Sequence, residues 1–127
     1  MAPRIMVLDD EPVARQIMRR YLGLHGYETL EAGTVDEAVE TLKREPVDAV
    51  ILDVRLAEER TGLDVLKSLR RLPGLENLPA IILTGKILDD VEELSITRER
   101  AYLFHKPESL DVLINFLDQM LGTDQPQ

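Results

Sequence analysis

Four short polar stretches each follow an apolar run, and their residue types are suited to chemistry. In chain order they are Asp9-Asp10-Glu11, Asp53, Thr84-Gly85 and Lys106-Pro107. Carboxylates that converge repel one another unless a hard dication neutralises them. Oxygen ligands in an open site suit Mg²⁺, which keeps bound waters and accepts phosphoryl oxygens as further ligands. With a lysine charge and a threonine hydroxyl added, the set suits a phosphoryl group on, or arriving at, a carboxylate.

Each stretch taken alone has an ordinary structural explanation. An acidic pair after a strand is most often a solvated turn, a threonine there is usually a helix cap, and Lys-Pro is usually a turn. The chemical interpretation therefore depends on a fold that brings the four stretches together.

The chain alternates apolar runs with longer segments of helical period. The runs predict strands at residues 4–8, 27–32, 49–52, 80–83 and 102–104. The periodic segments predict helices at residues 12–24, 35–45, 62–72, 88–94 and 109–121. Pro12 suits a first helical turn, and Thr34 with Glu37 forms a capping-box pattern before the second helix. The first helix carries an apolar stripe that we expect to face the core: Val13, Ile17, Tyr21 and Leu24.

Alternating strands and helices predict an α/β fold with a parallel sheet covered on both faces, because parallel neighbours need crossover connections. The runs IMVL, AVIL and AIIL fit strands buried on both faces. Ligands of such sheets bind outside the carboxyl ends of the strands. All four polar stretches lie at those ends, so we expect them at one edge.

Composition narrows the class of protein. The chain has 127 residues, of which 44% are hydrophobic and 31% charged, which predicts one domain over 1–127 with a core at 4–121 and a polar tail at 122–127. There is no cysteine, so thiol chemistry is excluded. A net charge of −9 without a basic stripe argues against direct nucleic-acid binding. Without a signal segment or an apolar run near membrane-spanning length, we expect a cytoplasmic protein with no membrane contact.

The sequence resembles the receiver domains of response regulators in two-component signalling, and chemotaxis receivers in particular. MVLDDE, VILDV, ILTG and HKP carry the resemblance, in this order, across residues 4 to about 121. The resemblance implies a flavodoxin-like, doubly wound, five-stranded parallel sheet of order 2-1-3-4-5 with helices on both faces.

The same resemblance implies a role for each site residue. Asp53 would be the phosphoacceptor, and Mg²⁺ would be held by Asp9, Asp10, Asp53 and the backbone carbonyl of Arg55. Thr84 would bind a phosphoryl oxygen and act as the switch. Lys106 would pair with the phosphoryl group, and the Lys106-Pro107 bond would be cis.

A receiver is a switch and not an enzyme. The implied donor is the phosphohistidine of a sensor histidine kinase or of a histidine phosphotransfer protein. The implied recipient of the signal is a downstream effector protein or an output domain.

Three departures from the family pattern stand out. In the loop VRLAEERTG, Ala57 replaces the usual proline and Gly62 comes one residue late. Leu103 occupies the place of the usual aromatic switch residue, and we expect Tyr102 and Phe104 on the opposite sheet face unless a bulge shifts the register. The sequence of residues 95–98 is poorly suited to a helix, so we expect a short fourth helix.

Two alternative functions stay open. One is an interaction module that keeps the fold without phosphorylation. The other is a phosphohydrolase of the haloacid dehalogenase type, which needs a second aspartate where this chain has Arg55. The sequence is compatible with a stand-alone receiver and with a piece of a longer protein.

Overall fold

The computed structural model describes residues 2–53, 62–84, 90–105 and 110–122, with the backbone alone at Asp53, 62–64, Glu92 and His105. Strands and helices alternate along these residues. The strands are β1 (Arg4–Leu8), β2 (Glu28–Ala32), β3 (Ala49–Asp53), β4 (Ala80–Thr84) and β5 (Ala101–His105). The helices are α1 (Pro12–Leu24), α2 (Val35–Arg44), α3 (Gly62–Arg70), α4 (Asp90–Arg98) and α5 (Leu110–Leu121).

The sheet has the order β2-β1-β3-β4-β5, and every neighbouring pair is parallel. The predicted doubly wound fold is therefore confirmed. The chain leaves β1 toward one edge and returns at β3 to build toward the other, so strand order reverses between these two strands. This reversal opens the crevice in which such sheets bind ligands.

Two apolar cores cover the two faces of the sheet. Side chains alternate along a strand, so Met6 and Leu8 belong to one core whereas Ile5 and Val7 belong to the other. Helices α2, α3 and α4 contribute to the first core, and α1 and α5 contribute to the second. The runs IMVL, AVIL and AIIL, which the sequence predicts to be strands buried on both faces, have an apolar core on each face.

The predicted helix starts are present. Pro12 occupies the first turn of α1, where its missing N–H costs nothing. Thr34 is the N-cap of α2, and its hydroxyl accepts a hydrogen bond from the Glu37 amide at 3.1 Å. None of the helices in the described ranges is long and apolar enough to cross a membrane.

The expected inward face of α1 is wrong. Val13, Ile17 and Leu24 are 57–77% exposed, and the buried side chains of α1 are those of Met18 and Leu22. The helix has two apolar stripes that lie one residue, or 100°, apart. Periodicity detects both stripes but does not say which one the sheet covers. The outward stripe lines a cavity of about 320 Å³ together with Gln16 and Arg20.

The fourth helix is short, as expected, at nine residues, but it continues through Arg98 and so includes the segment 95–98 that is poorly suited to a helix. Ile96 is buried in the first core. The Thr97 hydroxyl donates to the Glu93 carbonyl at 3.1 Å, so its polar group is satisfied within the helix. Tertiary contacts thus outweigh the weak propensity of this segment.

Arg70 of α3 forms hydrogen bonds to the turn that follows α4. Its Nε donates to the Glu99 carbonyl at 2.9 Å and its Nη2 to the Arg100 carbonyl at 3.3 Å. Its Nη1 donates to the carbonyls of Leu78 and Leu75 at 2.5 and 3.0 Å. One side chain therefore ties the turn after α4 to the segment that leads into β4.

Candidate functional site

The acidic turn after β1 is well ordered by hydrogen bonds. The Asp9 amide donates to the Ala32 carbonyl of β2 at 3.0 Å, and its carboxylate Oδ1 accepts from the Glu11 amide at 3.0 Å. Asp9 is buried, Asp10 is partly buried and Glu11 is exposed. One carboxylate is therefore enclosed, and a second is partly enclosed, at the carboxyl end of β1.

The strand register places the backbones of Asp53 and Thr84 beside this turn. Leu8 pairs with Leu52, so Asp9 and Asp53 are the next residues on two adjacent strands. Asp53 in turn pairs with Leu83, the residue before Thr84. Adjacent strands lie about 5 Å apart, so the backbones at Asp9, Asp53 and Thr84 meet at one edge of the sheet.

Asp9 and Thr84 share an unusual environment. Among the residues whose side chains the structure describes, they are the two buried polar ones, at 6% and 0% exposure. Burying polar groups costs free energy that the folded state must offset. Both occur at the edge that the sequence picks out for chemistry, which favours a functional reason for their burial.

The remaining candidates lie outside the described residues. These are Arg55 and Lys106, together with Gly85 and Pro107. Asp53 is described as the last residue of β3, without its side chain. The roles given to these residues stay predictions from the sequence.

The donor set at this edge fits Mg²⁺. Asp9 and Asp10 offer carboxylate oxygens, the ligands that this hard cation prefers. Within the described side chains no three acids or histidines converge on a point; Asp53, the third proposed carboxylate, is not among them. The absence of cysteine removes the soft ligands that favour zinc or copper.

Strand β5 has no bulge. Its register with β4 runs without interruption from Ala80–Ala101 to Thr84–His105. Leu103 consequently packs against the first core. Tyr102 and Phe104 lie on the other face, where each ring makes an edge contact with Phe116 of α5 at centroid distances of 4.7 and 5.1 Å. The expected alternation is confirmed, and no aromatic side chain takes the place of Leu103.

Sequence reasoning missed a group of residues beside the acidic turn. Arg15 of α1 donates from Nη1 to the Asp9 carbonyl at 2.5 Å. Its Nε lies 3.5 Å from the carboxylate of Glu31, a residue of β2. Arginines are usually solvated on helices, so no periodic or motif signal distinguishes Arg15 from Arg19 or Arg20.

A doubly wound 2-1-3-4-5 sheet with buried polar residues at the carboxyl edge of its central strands defines a receiver-like α/β domain. The family model of the response regulator receiver domain matches residues 5–118. The chain belongs to this family, which is the receiver domain of two-component systems.

Similar proteins agree with this assignment. The transcriptional regulatory protein AruR of Pseudomonas aeruginosa is 37% identical over 91 residues, which are 68% of this chain and 36% of that protein. The response regulator MprA of Mycobacterium tuberculosis is 31% identical over 131 positions, covering 100% of this chain and 54% of that protein. The chain thus spans between a third and about half of these relatives.

A solved structure supports the fold alone. The Vibrio cholerae chemotaxis protein CheY4 matches with a TM-score of 0.84, covering 95% of this chain and 99% of that chain. The sequence identity is 23%. The backbone arrangement is therefore that of a chemotaxis receiver even where the side chains differ.

Proposed function

We propose that this domain is a phosphorylated signalling switch in which Asp53 accepts a phosphoryl group from the phosphohistidine of a partner protein. The observation that supports this most is the burial of Asp9 and Thr84 on either side of the β3 end where Asp53 lies. Family membership supports the same role. The domain occupies residues 1–127, with its core at 4–121, and works in the cytoplasm.

The transfer is a nucleophilic substitution at phosphorus. A carboxylate oxygen of Asp53 attacks, an acyl phosphate P–O bond forms, and the P–N bond to the donor imidazole breaks. The imidazole leaves with the electron pair of that bond and takes up a proton. Negative charge on the transferred oxygens needs nearby positive charge and hydrogen-bond donors. In this proposal the Thr84 hydroxyl and the Lys106 ammonium supply them.

Asp9, Asp10, Asp53 and the Arg55 carbonyl are the proposed ligands of Mg²⁺. When bound, the ion would neutralise both the converging carboxylates and the phosphoryl oxygens. Asp10 is the more accessible of the two described acids, whereas Asp9 is fixed by the Glu11 amide. As the resemblance to the family implies, Asp10 would bind the ion directly and Asp9 would act through a bound water.

The phosphodonor is a sensor histidine kinase or a histidine phosphotransfer protein, and an effector protein or output domain reads the result. A macromolecular donor must reach the edge at which α1 begins. The outward stripe of α1, formed by Val13, Ile17 and Leu24, starts two residues after Glu11 and offers apolar surface there. We assign this stripe to contact with the protein donor.

Intact-protein mass spectrometry after incubation with Mg²⁺ and acetyl phosphate tests the central claim. The expected product is one base-labile phosphoryl adduct, which peptide mapping places on Asp53. Asp53→Asn should carry no adduct while keeping the wild-type circular dichroism spectrum. Asp36→Asn, which alters an exposed acid of α2, is the matched control and should label normally.

The alternatives give different results in the same experiment. An interaction module that is never phosphorylated would show no adduct in any variant. A phosphohydrolase would release inorganic phosphate from phosphate esters over many turnovers. Normal labelling of Asp53→Asn would remove the assignment of the acceptor.

A further inference from the structure

Arg15 contacts the main chain of the acidic turn. Its Nη1 donates to the Asp9 carbonyl at 2.5 Å, and its side chain is 19% exposed. That carbonyl belongs to the peptide group joining Asp9 to Asp10. The hydrogen bond therefore fixes the peptide plane from which Asp10 projects.

Glu31 anchors the guanidinium from β2. One carboxylate oxygen lies 3.5 Å from Arg15 Nε, and the other lies 2.9 Å from Nη1 of Arg19. Arg15 Nε is buried and has no hydrogen-bond partner among the described residues, so its contact with Glu31 is an ion pair without good hydrogen-bond geometry. An unsatisfied buried donor lowers stability.

Gly33 leaves room for this arrangement. A Cβ atom at this position would lie 2.8 Å from Arg15 Nη1 and 3.4 Å from its Cζ. Gly33 is not among the glycines with positive φ, so its backbone conformation does not require glycine. A side chain here would displace the guanidinium from the Asp9 carbonyl.

We propose that Arg15 is a positioning residue for the metal site, acting through the Asp9–Asp10 peptide group, with Glu31 and Gly33 holding it in place. The inference rests on the proposed function, because it concerns the Mg²⁺ ligands named there. Groups that orient metal ligands commonly change metal affinity by about tenfold or more when they are removed.

The direction in which Mg²⁺ affinity changes when Arg15 is removed distinguishes a positioning role from a purely electrostatic one. Arg15 is a cation close to a proposed cation site, so electrostatics alone predicts that its loss tightens Mg²⁺ binding. Positioning predicts the opposite, because the two carboxylates lose their fixed relation. Arg19 provides the matched control: it pairs with the same Glu31 but is 64% exposed.

The test combines calorimetric titration of the full chain with MgCl₂ and amide hydrogen exchange of Glu11 without metal. Arg15→Met should weaken Mg²⁺ binding by about tenfold and accelerate exchange of the Glu11 amide, which donates to Asp9 Oδ1. Gly33→Ala keeps the charge but moves the guanidinium, and should change both quantities in the same direction. Arg19→Met should leave Mg²⁺ affinity within about twofold of wild type, because an exposed charge is largely screened.

Unchanged or tighter Mg²⁺ binding in Arg15→Met would overturn the inference, even if the variant unfolds at a lower temperature. Unchanged exchange at Glu11 in both Arg15→Met and Gly33→Ala would overturn it as well. If the wild-type chain binds no Mg²⁺, the metal site of the proposed function fails. The exchange data would still decide whether Arg15 orders the turn.

Discussion

At the scale of single residues, the two buried polar side chains in the described part of the chain lie at the same edge of the sheet. Asp9 and Thr84 lose water on folding, and the Glu11 amide compensates part of this loss for Asp9. Helix α1 shows the opposite departure, because three of its apolar side chains remain exposed to water: Val13, Ile17 and Leu24. Both departures from ordinary burial lie on elements that meet at the candidate site.

The exposed stripe gives a prediction about the donor. Ile17→Glu should slow phosphoryl transfer from a phosphorylated histidine phosphotransfer protein by about tenfold, since it puts a charge into a contact that excludes water. Labelling by acetyl phosphate should not change, because that small donor needs no contact with α1. The measurement is the rate of label transfer from donor to receiver.

The control for Ile17→Glu is Val91→Glu. Val91 is 73% exposed but lies on α4, which packs on the other face of the sheet. Equal slowing by both substitutions would assign the effect to charge in general and not to the α1 stripe.

At the scale of elements, α4 is held mainly from its C-terminal end. Ile96 is its buried side chain in the described part of the helix, whereas Val91 and Leu94 are exposed. Arg70 supplies the other attachment through the carbonyls of Glu99 and Arg100. Burial, and then the neighbouring Arg100, lower the pKa of Arg70. Its carbonyl hydrogen bonds offset the cost of enclosing this charge.

This attachment makes α4 the candidate two-state element in place of the side chain at Leu103. Leu103 packs into the first core and has no ring or hydroxyl to exchange between two positions. A phosphoryl mimic such as beryllofluoride should change hydrogen exchange along α4 in wild type and equally in Leu103→Ala. Ser95→Ala with Thr97→Ala should reduce that change, because each substitution favours the helix by about 0.5 kcal/mol.

Thr41→Ala in α2 is the control, as it alters helix propensity away from α4. Loss of the α4 response in Leu103→Ala alone would restore the family's usual switch position. A response that is the same in all variants would exclude α4 propensity as a determinant.

Elements were predictable from the sequence where one signal dominates. The runs IMVL, AVIL and AIIL are apolar on both faces, which permits little else than central parallel strands, and Thr34 with Glu37 fixes the start of α2. The inward face of α1 was not predictable, because two stripes compete. The length of α4 depends on Arg70 and Ile96, which act across the fold. The contact of Arg15 with the acidic turn was not predictable either, because its hydrogen-bond partner is a backbone carbonyl, which leaves no signal in the sequence.

At the scale of the whole molecule, the candidate site concentrates acids in a chain that already carries a net charge of −9. In the proposed site, repulsion among Asp9, Asp10 and Asp53 would oppose folding unless a cation is bound. The stability of the domain and the occupancy of the metal site are thus linked.

Asp10→Ala should reveal this linkage in thermal unfolding. In chelator the variant should unfold at or above the wild-type temperature, because one repelling charge is gone. Mg²⁺ at about ten times its dissociation constant should stabilise wild type by about 1.4 kcal/mol, a shift of about 5 °C for a domain of this size. The variant should show little or no shift.

Glu40→Ala makes the same change in net charge on the exposed face of α2. It should respond to Mg²⁺ as wild type does. A variant Asp10→Ala that gains as much stability from Mg²⁺ as wild type would show that Asp10 is not a ligand.

The pairing of β1 with β3 also has a consequence for how the chain folds. Ile5 pairs with Ala49, so forming this ladder closes a long loop of chain that contains α1, β2 and α2. Such long-range pairings slow folding relative to local helix formation. The neighbours of the acidic turn, β3 and the Thr84 end of β4, are brought beside it by these long-range pairings and not by local structure. The candidate site is therefore assembled by tertiary pairing of distant segments, so we expect isolated helices or turns of this chain not to accept a phosphoryl group.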